Sequence, residues 1–289
     1  MPLIAGRPLL TNRFRPPSTP GPPADHCCPV WRNKLGGLTF RVGTDQFVKW
    51  TPAGSGIDIG AEIRRLFWAA AFTPVPRVID NGGDADGSWF ASMALPGDSA
   101  VADRWIADPE TAVRAIGVGL RALHDGLPPE KCPFTWSQEE RFDRVLRRAA
   151  TGRLTDPAGR DLLDRPMSLS AALDLLGAAP PIEQLVVCHG DACAPNALID
   201  SSGQWSAHVD LGALGIADRW ADLAVATWST QWNYGTGWEG YLTHTAFNRI
   251  RSAPPTTGCY GIWADDRPVI HLLAAQRPDP GTEFIRMGR

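Results

Sequence analysis

Two short runs of β-type residues, Leu38–Val42 and Gln46–Trp50, flank the turn-forming Gly43-Thr44-Asp45, and apolar and polar residues alternate over the first. That pattern predicts a hairpin of two half-buried strands. From Ile57 to Ala71 the period lengthens, and Ile59, Ile63, Leu66 and Phe67 fall on one side of a predicted helix. The prolines of PVPRVID hold the next segment extended, and Trp89–Leu95 is continuous enough in apolar character to be a buried strand. The character changes at Pro96-Gly97. Pro109–Asp125 carries Val113, Ile116, Leu120 and Leu123 at helical spacing, Gln138–Ala150 is a charged amphipathic helix, and Leu162–Leu176 has another apolar stripe. A strand is expected at Leu185–Cys188. A hairpin follows, from Leu198–Asp200 and Ala207–Val209 about a Ser-Ser-Gly turn, and then a helix over Asp218–Trp228.

These elements divide the chain. Residues 1–29, rich in proline, are expected to form a poorly ordered extension. A small β-rich lobe over residues 30–96 precedes a larger, mainly helical lobe over 97–242, and residues 243–289 form an irregular tail. The expected fold class is therefore α+β with two lobes.

Composition narrows the function classes. With 44% hydrophobic and 20% charged residues, the 289-residue chain can bury an ordinary core, and a net charge of -3 argues against nucleic acid as a partner. No apolar run is long enough to span a membrane, and the N-terminus lacks a charged start followed by an apolar stretch. The six cysteines form no metal-ligand pairs at two-residue spacing, so a reduced, cytoplasmic setting is expected.

The chemistry lies in Cys188-His189-Gly190-Asp191-Ala192-Cys193-Ala194-Pro195-Asn196, followed by Val209-Asp210-Leu211-Gly212. Phosphoryl transfer asks a protein for a carboxylate that orients and deprotonates the attacking hydroxyl, and for oxygen ligands on magnesium. Asp191 answers the first requirement. Asn196, five residues later, and Asp210, returned by the hairpin, answer the second. Gly190 allows a tight turn beside the base. A lone aspartate in a loop is usually a turn residue; the whole constellation is not explained that way.

HGDACAPN and VDLG together resemble the aminoglycoside phosphotransferase family, whose fold is similar to that of protein kinases; GIADRWADLA extends the resemblance, which runs from about Trp31 to about Glu239. It implies a two-lobed protein-kinase-like fold and transfer of the γ-phosphoryl group of ATP to a 3′ or 3″ hydroxyl of an aminoglycoside antibiotic, conferring resistance. ATP is the default donor, and the sequence does not exclude GTP. Asp191 then corresponds to the catalytic base, Asn196 and Asp210 to the Mg2+ ligands, His189 to a brace of the catalytic loop, and Asp222 to a carboxylate supporting that loop. Lys49, set in an apolar strand, would meet the nucleotide phosphates with Glu62 bracing it; the plainer alternative is a lysine on the wet side of an edge strand. Gly36, Gly37 and Thr39, in the stretch from Lys34, would form the loop over the phosphates, and Met93 to Leu95 the linker that meets adenine.

On the substrate side a polycation calls for carboxylates. Glu139, Glu140, Asp143, Asp174 and Glu239 are available, with Asp222 beside them, although solvated helix faces account for most such charges. Trp228, Trp232 and Trp238 suit sugar stacking or core packing equally. Many antibiotic-modifying members carry an arginine three residues after the second Mg2+ aspartate; here that position is Ala213. A kinase of a sugar or amino alcohol, and a catalytically impaired nucleotide-binding pseudokinase, are the rival readings.

After Tyr241 the pattern fails, where the family ends in helices that close the substrate pocket. The codons from Thr243 onward, read from their third bases, can encode AYGVQPDPLRTTYYRLLWDLGR and then a stop. This segment is amphipathic, and its YYRLLWDLG resembles the family's last helix. Residues from about Thr243 are therefore expected to be translated out of frame.

Overall fold

A computed structural model describes residues 27–33, 35–150, 182–246, 258–264 and 267–273. The first layer is a five-stranded antiparallel sheet in the order β1-β2-β3-β5-β4, built from β1 (Cys27–Arg32), β2 (Leu38–Val42), β3 (Gln46–Pro52), β4 (Val78–Gly83) and β5 (Gly87–Met93). Strand β3 lies inside this sheet, paired on both sides. Its alternation puts Val48 and Trp50 into an apolar cluster with Phe40, Trp89 and Ala91, and leaves Lys49 on the opposite face.

Helix α1 (Ile59–Ala69) starts at Asp58, whose side chain accepts the Ala61 amide at 2.8 Å. Ile59 and Leu66 pack with Phe90 and with Leu211 and Leu214 of the second lobe. Phe67, placed by periodicity on the apolar side, is 64% exposed. The stripe is narrower than the count of apolar residues suggests, because residues 66 and 67 sit about 100° apart on a helix.

The second layer is mostly helical. After β6 (Asp98–Ser99) and the short α2 (Asp103–Ile106) comes α3 (Pro109–Gly126), which opens with Asp108 as N-cap and proline at its first position. Val113, Ile116, Leu120 and Leu123 on α3 are all buried, as their spacing predicts. Further on lie α4 (Gln138–Ala150), β7 (Leu185–Cys188), the hairpin β8 (Ala197–Ile199) and β9 (Trp205–His208), β10 (Gly215–Asp218), α5 (Trp220–Tyr234) and α6 (Glu239–Ala246). Helix α6 rests on α3 at Gly117, where an added Cβ would lie 2.0 Å from Thr245 Oγ1. The apolar segment expected at Leu162–Leu176 lies outside the described residues.

Three boundaries differ from expectation. Strand β1 begins at Cys27, inside the stretch read as an unstructured extension, because pairing with β2 recruits Cys28 and Pro29 at a sheet edge, where proline is tolerated. Asp218, read as the start of a helix, instead ends β10, which pairs with β7, and the helix begins at Trp220. The tail is not irregular throughout. Helix α6 runs to Ala246, which is 3% exposed, and β11 (Gly258–Ala264) and β12 (Arg267–Leu273) form an antiparallel hairpin. A two-stranded pairing needs only local backbone hydrogen bonds, so it places little demand on sequence pattern.

Cys28, Cys132, Cys188 and Cys193 are free thiols. Burial, and then the nearby Asp222 carboxylate, push the Cys188 thiol well above its ordinary range. In the folded protein Cys188 should therefore resist iodoacetamide at pH 8 while the exposed Cys28 reacts. Peptide mass spectrometry before and after denaturation checks this; native labelling at Cys188 would contradict it.

Candidate active site

Strand β7 delivers the chain to His189, which is fully buried, and Gly190 then turns it with φ 83°. A Cβ at Gly190 would lie 2.2 Å from the Ala213 carbonyl oxygen, so only glycine fits there. His189 Nε2 lies 2.9 Å from the Val209 carbonyl oxygen. A carbonyl only accepts, so Nε2 carries the proton. Nδ1 is then free to accept the amide of Asp191 itself, at 3.3 Å. Both ring nitrogens are occupied by backbone. His189 is thus a brace between Asp191 and the segment that carries Asp210, not a proton donor or acceptor for substrate.

The Asp191 carboxylate is held at both oxygens. Cys193 Sγ donates to Oδ1 at 3.0 Å, and Asn196 Nδ2 donates to Oδ2 at 3.1 Å. The same Nδ2 donates to the Asp191 carbonyl at 2.9 Å, which fixes the amide orientation and leaves Asn196 Oδ1 as the atom able to ligate a cation. Asp210 reaches this place through the β8–β9 hairpin, because the Val209 amide bonds the Asn196 carbonyl at 3.0 Å. Asp210 adopts φ 64°, a left-handed conformation that aspartate tolerates better than most residues, at a cost on the order of 1 kcal/mol.

Lys49 joins the lobes. Its Nζ donates to Glu62 Oε1 at 3.0 Å and Oε2 at 2.8 Å, and it also contacts Asp210 Oδ1. The Lys49 side chain is 20% exposed and that of Glu62 only 5%, so each compensates the other's lost hydration. Thr39 pairs directly opposite Lys49 across β2 and β3. Near the start of β2, Asn33 Oδ1 accepts the Gly37 amide at 2.7 Å, closing the turn that contains Gly36. At the end of β5, Met93 and Ala94 spend their amides on the carbonyls of Arg77 and Asp45, and Leu95 continues towards Pro96.

The ammonium of Lys49 faces two carboxylates, with Asp191 nearby in the second lobe. The surplus is negative and all of its donors are hard oxygens. Asp210, at 37% exposed, can exchange its ammonium partner for a divalent cation while Glu62 keeps Lys49 neutralised. Asp210 and Asn196 Oδ1 therefore fit Mg2+ in donor chemistry.

Asp222 does not face substrate; it is fully buried. Its Oδ2 accepts the His189 amide at 2.6 Å and His124 Nε2 at 2.9 Å, and its Oδ1 accepts the Gly190 amide at 2.9 Å. Burial alone would raise its pKa. The hydrogen bond and charge of His124, together with the Gly190 amide, outweigh that and hold it below the usual carboxylate range. A carboxylate so enclosed cannot touch an antibiotic, and its place among the substrate candidates is corrected to support of the loop. Glu239 is engaged too, accepting from Gln231 Nε2 and from the Gly237 amide. Glu140 pairs with Arg144 at 2.7 Å, and Asp174 lies outside the described residues. Trp228 and Trp238 pack on the core of the second lobe, while Trp232 is 47% exposed.

Sequence reasoning missed four residues of this site. Cys193 sits inside the motif itself. Arg65 ties α1 to the Asp210 segment by donating Nε to the Leu214 carbonyl at 2.7 Å. His124 comes from α3, far away in sequence, and carries no signal of its role. Ser229, seven residues beyond Asp222 on a helix, could have been found by its face.

A model of the phosphotransferase enzyme family matches residues 33–252. The aminoglycoside 3′-phosphotransferase of Streptomyces fradiae is 36% identical over 184 residues, which cover 61% of this chain and 66% of that protein. The match thus spans just under two thirds of that relative's length. The streptomycin 3″-kinase of Streptomyces griseus is 35% identical over 212 residues, covering 68% of this chain and 74% of that one. Among solved structures, a 3″-type aminoglycoside phosphotransferase from Streptomyces rimosus, in complex with ADP and streptomycin, superposes with a TM-score of 0.58 at 28% identity, over 83% of this chain and 87% of that one. With the match running through the sheet, the Lys49 ion pair and the Asp191 loop alike, the chain belongs to the phosphotransferase enzyme family.

Proposed function

We propose that the protein transfers the γ-phosphoryl group of ATP to a 3′ or 3″ hydroxyl of an aminoglycoside. The observation that carries this reading is the Lys49 ammonium. It bridges Glu62 of the sheet lobe to Asp210, which lies 161 residues after Lys49, in the lobe that carries the carboxylate and amide already oriented at Asp191 and Asn196. Lys49 serves the nucleotide phosphates, with Glu62 holding the ammonium in place. Gly36, Gly37 and Thr39 cover the phosphates, and Met93 to Leu95 border the adenine. Asp210 and Asn196 would hold Mg2+, which when bound supplies positive charge to the phosphate oxygens. Asp191 orients the acceptor hydroxyl and takes its proton as the oxygen attacks. The acceptor class rests on the relatives that modify aminoglycosides at 3′ and streptomycin at 3″.

The test is phosphate transfer from ATP, and separately GTP, to kanamycin, streptomycin, choline and simple sugars. Transfer to an antibiotic with none to choline or sugars is expected. The reverse pattern would make the protein a small-metabolite kinase.

A second reading concerns the tail. The family match ends at residue 252, and the stretch from Thr243, read in another frame, encodes a segment that resembles the family's last helix. We infer a frame change near Thr243, which leaves catalysis impaired. Restoring the alternative frame should raise kcat by about tenfold or more, equivalent to ~1.4 kcal/mol of barrier. Equal kcat for the two forms would show that the tail has no part in the chemistry.

A further inference from the structure

Asp222 and Ser229 lie two turns apart on α5, so their side chains leave the same face of the helix. Asp222 takes the amides of His189 and Gly190, immediately before Asp191. Ser229 is 2% exposed, and its Oγ accepts the buried amide of Ala194 at 2.8 Å, immediately after Cys193. Asn233, one turn further along, donates Nδ2 to the Ser229 carbonyl at 2.7 Å and to Oγ at 3.3 Å. The span Asp191–Cys193 is therefore pinned at both ends to one helix. That span includes both the carboxylate and the thiol that bonds its Oδ1.

We propose that Ser229 is a positioning residue for Asp191: it anchors the downstream end of the loop, and Asn233 aims its hydroxyl. The inference rests on the reading of Asp191 as the base. Without the Ser229 oxygen, the Ala194 amide is left buried and unpaired. A loop can relieve that only by moving the amide towards water or another acceptor. Such a shift carries Cys193 and Asn196 with it, and these are the two donors that hold the Asp191 carboxylate. A serine that merely fills the interior would have no such consequence, because alanine fills nearly the same volume and favours the helix more.

The test compares Ser229→Ala, Ser229→Thr and Asp191→Ala with the wild-type protein. In Ser229→Ala, amide exchange of the 191–196 segment should speed up by about tenfold or more while β7 is unchanged. The kcat for phosphate transfer should fall by about 10–100-fold, with the nucleotide KM within about twofold. Ser229→Thr, which keeps the oxygen, should recover most of both. Wild-type exchange at Ala194, or kcat within about twofold of wild type in Ser229→Ala, overturns the inference. Undiminished transfer by Asp191→Ala would instead overturn the assignment of the base. The exchange measurement needs no turnover and so separates the two failures.

Discussion

Replacing Asp191 by alanine should lower phosphate transfer by about 10²–10⁴-fold, the usual worth of a positioned general base. The loss should fall on kcat. On the proposed function, nucleotide binding relies on Lys49, Glu62 and the sheet rather than on the Asp191 carboxylate, so the ADP dissociation constant should stay within about twofold. Asparagine is the less clean variant. Oδ2 of Asp191 accepts from Asn196 Nδ2 and Oδ1 accepts from Cys193 Sγ, so an amide at 191 sets a donor against one of them. Single-turnover kinetics with calorimetric titration of ADP separates the two effects. A variant that binds ADP normally and turns over at the wild-type rate would remove Asp191 from the chemistry.

The second large effect is on stability. Asp222→Ala removes three hydrogen bonds at once and strands the amides of His189 and Gly190 in the interior, beside His124. Breaking a buried charged network from one side costs roughly 3–5 kcal/mol, against a total of roughly 5–15 kcal/mol for a domain. The variant should unfold at much lower urea concentration, and its transfer activity should vanish with the fold. The pH dependence has a definite sign. The folded-state pKa of Asp222 lies below the unfolded value. Its contribution is therefore complete above the ordinary aspartate pKa of about 4 and is lost as pH falls through the lower, folded value. Urea midpoints of wild type and Asp222→Asn should differ most at neutral pH and converge in acid. A constant difference down to pH 3 would show that the carboxylate charge is not what stabilises the loop.

Much of this was readable before any coordinates, for a physical reason. Strand alternation placed β2, β3 and their turn because one face of that sheet is buried and the other is not. Asp191, Asn196 and Asp210 were legible because they lie close in sequence around a loop and a hairpin. Lys49 stood out as a charge in an apolar strand. What could not be read depends on tertiary contact. His124 reaches Asp222 across 98 residues, and no local pattern reports that meeting. Asp222 and Glu239 both stood among the acidic candidates on the substrate side. Only their surroundings separate a fully buried anchor from a carboxylate satisfied by Gln231 and Gly237. Phe67 was misplaced because a count of apolar residues ignores how narrow the buried stripe of α1 is.

The doubly bonded imidazole of His189 has one more consequence. A planar ring with its nitrogens on opposite sides acts as a rigid spacer between Asp191 and Val209, the neighbour of Asp210. On the proposed function, the distance from proton acceptor to cation ligand is thereby built into the loop and owes nothing to the walls that receive the alcohol. Those walls can change without retuning the spacing. Chemistry and substrate choice can then drift separately, and a new acceptor can be adopted by substitutions that never reach the loop.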